Sequence, residues 1–129
     1  MKQTTRSLGY SITGLRHAVA HEANLRKFLF LEIFLLLAAI ALGDFLLFIA
    51  LLMVGGGFTI VELFNTAIER LADTFDDCEK QRNSGHFHPG IKMTKDVASA
   101  ASLIALIVYG VIAVLGFLPH ITLLFFSFE

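Results

Sequence analysis

The sequence is poor in charged residues and has almost no cysteine. Only 16% of its 129 residues are charged, against about a quarter in an ordinary soluble domain. Ten basic residues are balanced by 11 acidic ones, so no excess of positive charge supports binding to nucleic acid. Cys78 is the only cysteine, which excludes an internal disulfide. These shortages argue against a soluble enzyme, a nucleic-acid-binding protein and a disulfide-stabilised secreted scaffold.

Long apolar runs dominate the rest of the sequence. Hydrophobic residues make up 56% of the chain, and the mean hydropathy is +0.73. A soluble core of this size cannot bury so much apolar surface. The sequence therefore predicts an all-α integral membrane protein. The residues before Phe28 are polar and basic, so we expect no signal peptide.

Three apolar segments predict three transmembrane helices, each near the ~20 residues that cross ~30 Å of hydrocarbon. The predicted spans cover residues about 28–43, 45–70 and 95–117. Pro119 is expected to end the third helix or to start a short terminal turn. An arm at about 5–27 has the amphipathic pattern of a helix in the membrane interface, with a simple solvated helix as the alternative. With a cytoplasmic loop at about 74–94, we interpret residues 1–129 as one membrane domain.

The distribution of Lys and Arg predicts the orientation of these helices. Basic residues cluster before Phe28 and between Arg70 and Lys95, whereas the connection between the first two spans carries only Asp44. The positive-inside rule therefore places the N-terminus and the long loop in the cytoplasm. The same rule places the C-terminus on the opposite side of the membrane.

Polar residues interrupt the cytoplasmic end of the second span. Glu62, Asn65, Glu69 and Asp73 are spaced by three or four residues, so they share one face of an α-helix. A carboxylate near the membrane is costly and tends to mark function. The alternative is a snorkelling ion pair with Arg70 at the helix end.

Two further polar groups are predicted to lie at the same depth. Lys95, Asp96, Ser99 and Ser102 form a polar stripe at the start of the third span, although Asp96 alone would also suit the positive end of a helix dipole. Glu22 and Arg26 lie four residues apart on the arm, with a surface ion pair as the alternative. Carboxylates that meet near the headgroups need a counter-charge, and Mg²⁺ takes one or two carboxylates together with phosphate oxygens. The pattern predicts phosphate chemistry on a lipid headgroup.

Two other classes of membrane protein fit parts of this pattern. A small proton-coupled transporter subunit would also carry an intramembrane carboxylate, but transport sites lie near the bilayer midplane. A non-enzymatic assembly subunit leaves the polar stripes unexplained. No standard nucleotide-binding loop supports a kinase independently, because both the G-x-x-x-x-G-K-[ST] and the G-x-G-x-x-G patterns are missing from the sequence.

Several segments together resemble the prokaryotic diacylglycerol kinase family, which includes undecaprenol kinases. The segments are VELFNTAIERLAD at 61–73, TKDVASAASLIAL at 94–106 and GYSITGLRHAVAHEANLR at 9–26. His88-Pro89 lies seven residues before Lys95, as in that family. The resemblance covers nearly the whole chain, and its motifs occur in the expected order between the spans.

The resemblance implies a small lipid kinase of the bacterial cytoplasmic (inner) membrane, with the N-terminus in the cytoplasm. It implies three transmembrane helices and an amphipathic surface helix, assembled as a homotrimeric helical bundle whose active sites are shared between subunits. The implied reaction transfers the γ-phosphate of ATP to a lipid hydroxyl with Mg²⁺. Diacylglycerol is the expected acceptor, giving phosphatidic acid, and undecaprenol is the alternative.

The same resemblance implies roles for individual residues. Glu62 matches the catalytic base, and Asn65 lies where the family places a residue that supports the base. Glu22 and Glu69 match the metal-binding carboxylates. The residues that match nucleotide contacts are Tyr10, Glu22, Glu69, His86, Phe87, His88, Lys95 and Asp96. The residues expected against the lipid are Arg16, His17, Ala18, Val19, Asn24, Leu25, Arg26, Lys27, Phe28, Glu62 and Ser99.

Overall fold

Four α-helices make up the described part of the chain. The computed structural model describes residues 2–82 and 89–126. The helices are α1 at Lys2–His21, α2 at Ala23–Ala41, α3 at Phe45–Arg82 and α4 at Pro89–Phe126. Within these two ranges there is no strand. The prediction of an all-helical protein is therefore confirmed.

Helix α3 is the centre of the fold, because α2 and α4 both pack against it, while α1 makes smaller contacts with α2 and α3. The buried core comprises Phe28, Ala39, Leu47, Leu51, Phe58, Tyr109 and Ala113. Most other large apolar side chains point outward; Phe34, Leu46 and Ile104 are examples. An apolar exterior of this kind suits a lipid environment rather than water.

Two of the helices are long and apolar enough to cross a membrane, by length and composition. They are Phe45–Gln81, which belongs to α3, and Pro89–Leu124, which belongs to α4. Helix α2 has only 19 residues and carries Arg26, Lys27 and Glu32. Because these charges are spread along a short helix, α2 lacks an apolar stretch as long as those of α3 and α4.

The arm differs from the single helix predicted at about 5–27, because the helix is interrupted at Glu22. The backbone of Glu22 is extended, with φ −97° and ψ 108°. One guanidinium nitrogen of Arg26 donates hydrogen bonds to the carbonyl oxygens of Val19 (3.1 Å) and Ala20 (2.6 Å). These bonds satisfy carbonyls that the end of α1 leaves free. The break separates the surface arm from α2 and places Glu22 at the junction.

The turn between α2 and α3 is tied to the distal end of α4. Gly43 adopts a left-handed conformation, with φ 70°, which glycine adopts without steric cost. Asp44 then accepts a hydrogen bond from the backbone N–H of Leu47 at 2.9 Å and pairs with His120 at 2.8 Å. The Leu47 N–H, and after it His120, hold the pKa of Asp44 below its ordinary value of 3.8.

The two long helices extend further than the sequence predicts. The loop expected at about 74–94 is helical at both ends, because α3 continues to Arg82 and α4 begins at Pro89. An ion pair between Lys80 and Asp76 at 2.6 Å, one helical turn apart, supports the end of α3, and proline is well suited to the first position of a helix. Pro119 does not end α4, which continues to Phe126. Backbone that an apolar environment surrounds keeps its internal hydrogen bonds wherever it can, so the helix continues past the proline.

Candidate active site

A cavity of about 430 Å³ lies between α2 and α4, with α3 as its base. This volume is typical of small-molecule sites. Its polar part is lined by Glu22, Asn24, Lys27, Glu62, Asn65, Glu69, Ser99 and Ser102. Its apolar part is lined by Phe28, Leu31, Phe58, Leu103 and Leu106. The structure therefore brings three of the predicted carboxylates, Glu22, Glu62 and Glu69, to one groove whose other end suits hydrocarbon, whereas Asp73 and Asp96 do not line it.

The polar stripe of α3 forms the base of this cavity. Glu62, Asn65 and Glu69 lie on one helical face, as their spacing indicates, and Glu62 is only 7% exposed. The amide nitrogen of Asn65 donates a hydrogen bond to Oε1 of Glu69 at 3.2 Å. Asn65 thus orients Glu69, whereas the resemblance pairs it with Glu62. Its carbonyl oxygen is buried and has no hydrogen-bond partner among the described residues.

Ser102 is the hydrogen-bond partner of Glu62. The Ser102 hydroxyl on α4 donates to Oε2 of Glu62, and both side chains are buried. The sequence shows Ser102 three residues after Ser99 on the same polar stripe, but spacing within α4 does not reveal a partner on α3. A buried carboxylate fixed through one oxygen keeps its other oxygen available for a substrate proton.

Glu22 connects the arm to α3 through Arg70. One guanidinium nitrogen of Arg70 lies 3.2 Å from Oε1 of Glu22, and the other contacts Nε2 of His17. The His17 ring lies 4.2 Å from that of His21, between ring centroids. The charge of His21 is the main reason that the pKa of His17 lies below its ordinary value of 6.5, and desolvation and Arg70 lower it further.

The two carboxylates predicted to hold a metal lie at the same end of the cavity. Glu22 and Glu69 both line its polar part. Over residues 2–82 and 89–126, three or more metal-ligating side chains nowhere gather closely enough to hold an ion by themselves. Two hard oxygen donors suit Mg²⁺, which ordinarily completes its coordination with water and phosphate oxygens. The donor set therefore fits a metal that arrives with a phosphate, rather than a closed structural site.

Among the predicted nucleotide residues, Glu22 and Glu69 line this cavity, whereas Tyr10, Lys95 and Asp96 do not. Lys95 pairs with Asp73 at 2.7 Å, which joins the start of α4 to α3, and Asp96 is exposed. Tyr10 is 77% exposed on α1. His86, Phe87 and His88 lie outside the described residues. The roles of these residues remain predictions.

The residues predicted to contact the lipid divide into two groups. Those that line the cavity are Asn24, Lys27, Phe28, Glu62 and Ser99. Those that do not line it are Arg16, His17, Ala18, Val19, Leu25 and Arg26. Ala18 and Leu25 are buried where the arm meets the other helices, so packing already accounts for them.

Comparison with known proteins identifies the family of this chain. The sequence model described as "Prokaryotic diacylglycerol kinase" matches residues 9–117. The diacylglycerol kinase of Helicobacter pylori strain J99 is 36% identical over 112 residues, covering 86% of this chain and 81% of that protein. The protein of the same name from Helicobacter pylori strain 26695 is 37% identical over the same shares. A third relative of that name, from Pseudomonas aeruginosa, is 35% identical over 84% of this chain and 82% of its own length. By the family match and by these relatives, the chain belongs to the prokaryotic diacylglycerol kinase family.

Proposed function

We propose that this protein transfers the γ-phosphate of ATP to the hydroxyl of diacylglycerol and so forms phosphatidic acid. Its family makes it an ATP-dependent lipid kinase, and its relatives from Helicobacter pylori and Pseudomonas aeruginosa are named diacylglycerol kinases. The observation that carries the proposal is a single cavity in which Glu62 is buried. Carboxylates line one end of this cavity, and Phe28 and Phe58 line the other end. A lipid headgroup suits the first environment, and its hydrocarbon suits the second.

Glu62 acts as the general base in this proposal. It accepts the proton of the lipid hydroxyl, while the hydrogen bond from Ser102 holds its carboxylate in place. Phosphoryl transfer otherwise depends mainly on positioning and charge neutralisation. Glu22 and Glu69 would hold Mg²⁺, which neutralises charge on the phosphates of ATP. Asn65 keeps Glu69 oriented for that role.

Nucleotide binding is assigned to residues at the cytoplasmic side of the same helices. Lys95 and Asp96 at the start of α4, Tyr10 on α1 and the segment 86–88 make these contacts in the proposal. The ion pair of Lys95 with Asp73 supports this placement, because it holds a cation close to the polar stripe of α3. A cation near that stripe suits the phosphates of a nucleotide.

The membrane arrangement follows from the same helices. We propose that α2 is a third span beside α3 and α4, since its 19 residues approach the ~20 needed to cross a bilayer. The exposed apolar residues Leu8, Ile12 and Leu15 of α1 support an interfacial arm. In this proposal the protein lies in the bacterial inner membrane, with its N-terminus in the cytoplasm. It works as a homotrimer, which the exposed small residues Ala100 and Ala101 of α4 would allow to pack closely.

The test is phosphate transfer from γ-labelled ATP to dioleoylglycerol in mixed micelles. Glu62→Gln removes proton acceptance with little change of shape, so we expect kcat to fall roughly 10²-fold or more while nucleotide affinity stays nearly intact. Glu69→Gln removes a metal ligand, so it should weaken binding of Mg–ATP as well as turnover. Asp77→Asn is the matched control, because it removes a carboxylate from an exposed position of the same helix.

Three outcomes would contradict the proposal. Full activity of Glu62→Gln would remove the base from this stripe. Lost nucleotide binding with unchanged kcat in Glu62→Gln would make that residue a ligand instead. ATP turnover by the wild type that is independent of added lipid would contradict the lipid kinase reaction itself.

A further inference from the structure

A polar contact joins three helices inside the apolar part of the fold. Glu32 of α2 is 7% exposed and Tyr109 of α4 is 2% exposed, and the Tyr109 hydroxyl donates a hydrogen bond to Oε2 of Glu32. Gly55 of α3 lies directly against the same carboxyl group, where a Cβ atom would collide with it. A carboxyl group buried among apolar side chains is costly, so its retention calls for an explanation. The proposed phosphoryl transfer does not use this group.

The contact lies in line with the active site. Gly55 precedes Glu62 by seven residues on α3, and Tyr109 follows Ser102 by seven residues on α4. Seven residues correspond to two helical turns, or ~10 Å along the helix axes. The Tyr109–Glu32 contact therefore lies ~10 Å beyond the Ser102–Glu62 contact along the helices, on the side away from Glu22 and Glu69.

The cavity ends next to this contact, at two aromatic rings that line it. Its apolar end is formed by Phe28 and Phe58, whose ring centroids are 4.2 Å apart. The Phe28 ring also meets the Tyr109 ring edge-on, at 4.9 Å between centroids. Beyond Tyr109 the space between the helices is filled by the buried side chains of Leu51 and Ala113. A straight chain that enters the groove beside Glu62 thus meets a closed end.

We propose that Glu32, Tyr109 and Gly55 form a polar bar that sets the length of the lipid groove and makes the enzyme select against a lipid whose single long chain begins at the carbon that carries the hydroxyl. The inference rests on the proposed function, since it concerns the lipid of that reaction. A diacylglycerol has a short glyceryl group next to its hydroxyl, and both acyl chains leave the groove sideways before the bar. A polyprenol would need to lie along the groove from its hydroxyl onward, and the bar stops it.

The experiment compares kcat/KM for undecaprenol and for dioleoylglycerol in the full-length protein. Tyr109→Ala removes the ring against which Phe28 packs, so Phe28 can move away from the end of the groove. The ratio of undecaprenol to dioleoylglycerol should then rise about tenfold or more, the scale at which apolar pockets discriminate by size. Tyr109→Phe keeps the ring and loses only the hydroxyl, so it should lower stability and leave the ratio unchanged. Ile104→Ala is the matched control, because Ile104 lies on the outer face of the same helix.

A second measurement uses only the wild type, in case Tyr109→Ala does not fold. A diacylglycerol with a photoreactive diazirine at the end of one acyl chain should crosslink to exposed residues of the groove rim, such as Leu31 or Leu106. Crosslinks to Leu51 or Ala113 would overturn the inference, and so would an unchanged ratio in an active Tyr109→Ala variant. A wild type that phosphorylates neither lipid would instead contradict the proposed function.

Discussion

Three consecutive glycines on α3 offer a direct test of the bar. Gly55, Gly56 and Gly57 occupy the same helix in the same apolar stretch, but only Gly55 lies against another group. A methyl group on Gly55 would collide with the carboxyl group of Glu32, whereas it would meet nothing within 4 Å on Gly56 or Gly57. Alanine at position 55 must therefore displace Glu32.

The expected size of the effect follows from what Glu32 would leave behind. Alanine in place of glycine favours a helix by about 0.5–1 kcal/mol, and this gain is common to all three positions. Displacing Glu32 leaves the buried Tyr109 hydroxyl without a partner, which costs about 1–3 kcal/mol. Gly55→Ala should therefore have a free energy of unfolding about 1–3 kcal/mol below that of Gly57→Ala, while Gly56→Ala should match Gly57→Ala.

The assay is unfolding by sodium dodecyl sulfate in mixed micelles, followed by circular dichroism. A second variant tests whether Glu32 is the cause. Glu32→Ala by itself should lower stability, but in the double variant it should remove most of the penalty of Gly55→Ala. Such non-additivity is expected of residues in contact. Equal stability of Gly55→Ala and Gly57→Ala, or strictly additive effects with Glu32→Ala, would refute the reasoning.

Two further predictions concern single hydrogen bonds. Ser102→Ala should lower kcat about tenfold, which is the scale of one lost hydrogen bond to a charged group, with little change in KM for the lipid. Ser102→Thr should restore part of the activity. Steady-state kinetics in mixed micelles checks both variants. The lowered pKa of Asp44 means that its contribution to stability is present above its unfolded-state pKa of about 3.9 and is lost as the pH falls through the lower folded-state pKa. Asp44→Asn should therefore reduce the dependence of thermal stability on pH below about pH 4, measured as the midpoint of unfolding against pH for both proteins.

Local patterns predicted the parts of this protein that depend on one helix at a time. The shared face of Glu62, Asn65 and Glu69 follows from helical periodicity alone, and the structure places these side chains in one cavity. The apolar runs also predicted α3 and α4, since each run contains enough consecutive apolar residues to form a long helix. The orientation predicted for the helices places Glu22 close to Glu62 and Glu69, and all three carboxylates line the cavity.

Contacts between helices could not be predicted from the sequence, because they depend on the register in which the helices pack. Ser102 and Glu62 are 40 residues apart, and Tyr109 and Glu32 are 77 residues apart. No spacing within one helix indicates such pairs. The end of α3 and the start of α4 were missed for another reason. The polar residues near 74–94 have the composition of a loop, but side-chain pairs such as Lys80 with Asp76 stabilise a helix there.

The groove between α2 and α4 has an apolar rim. Leu31, Leu103 and Leu106 line it and are exposed. A lipid can therefore reach Glu62 by diffusing in the plane of the bilayer, without extracting its chains into water at ~0.8 kcal/mol for each methylene group. The quantity that governs encounter is then the surface density of the lipid among its neighbours rather than its concentration in the aqueous volume. Dilution of the substrate by other lipids slows such an enzyme, while dilution of the whole membrane suspension leaves each encounter unchanged.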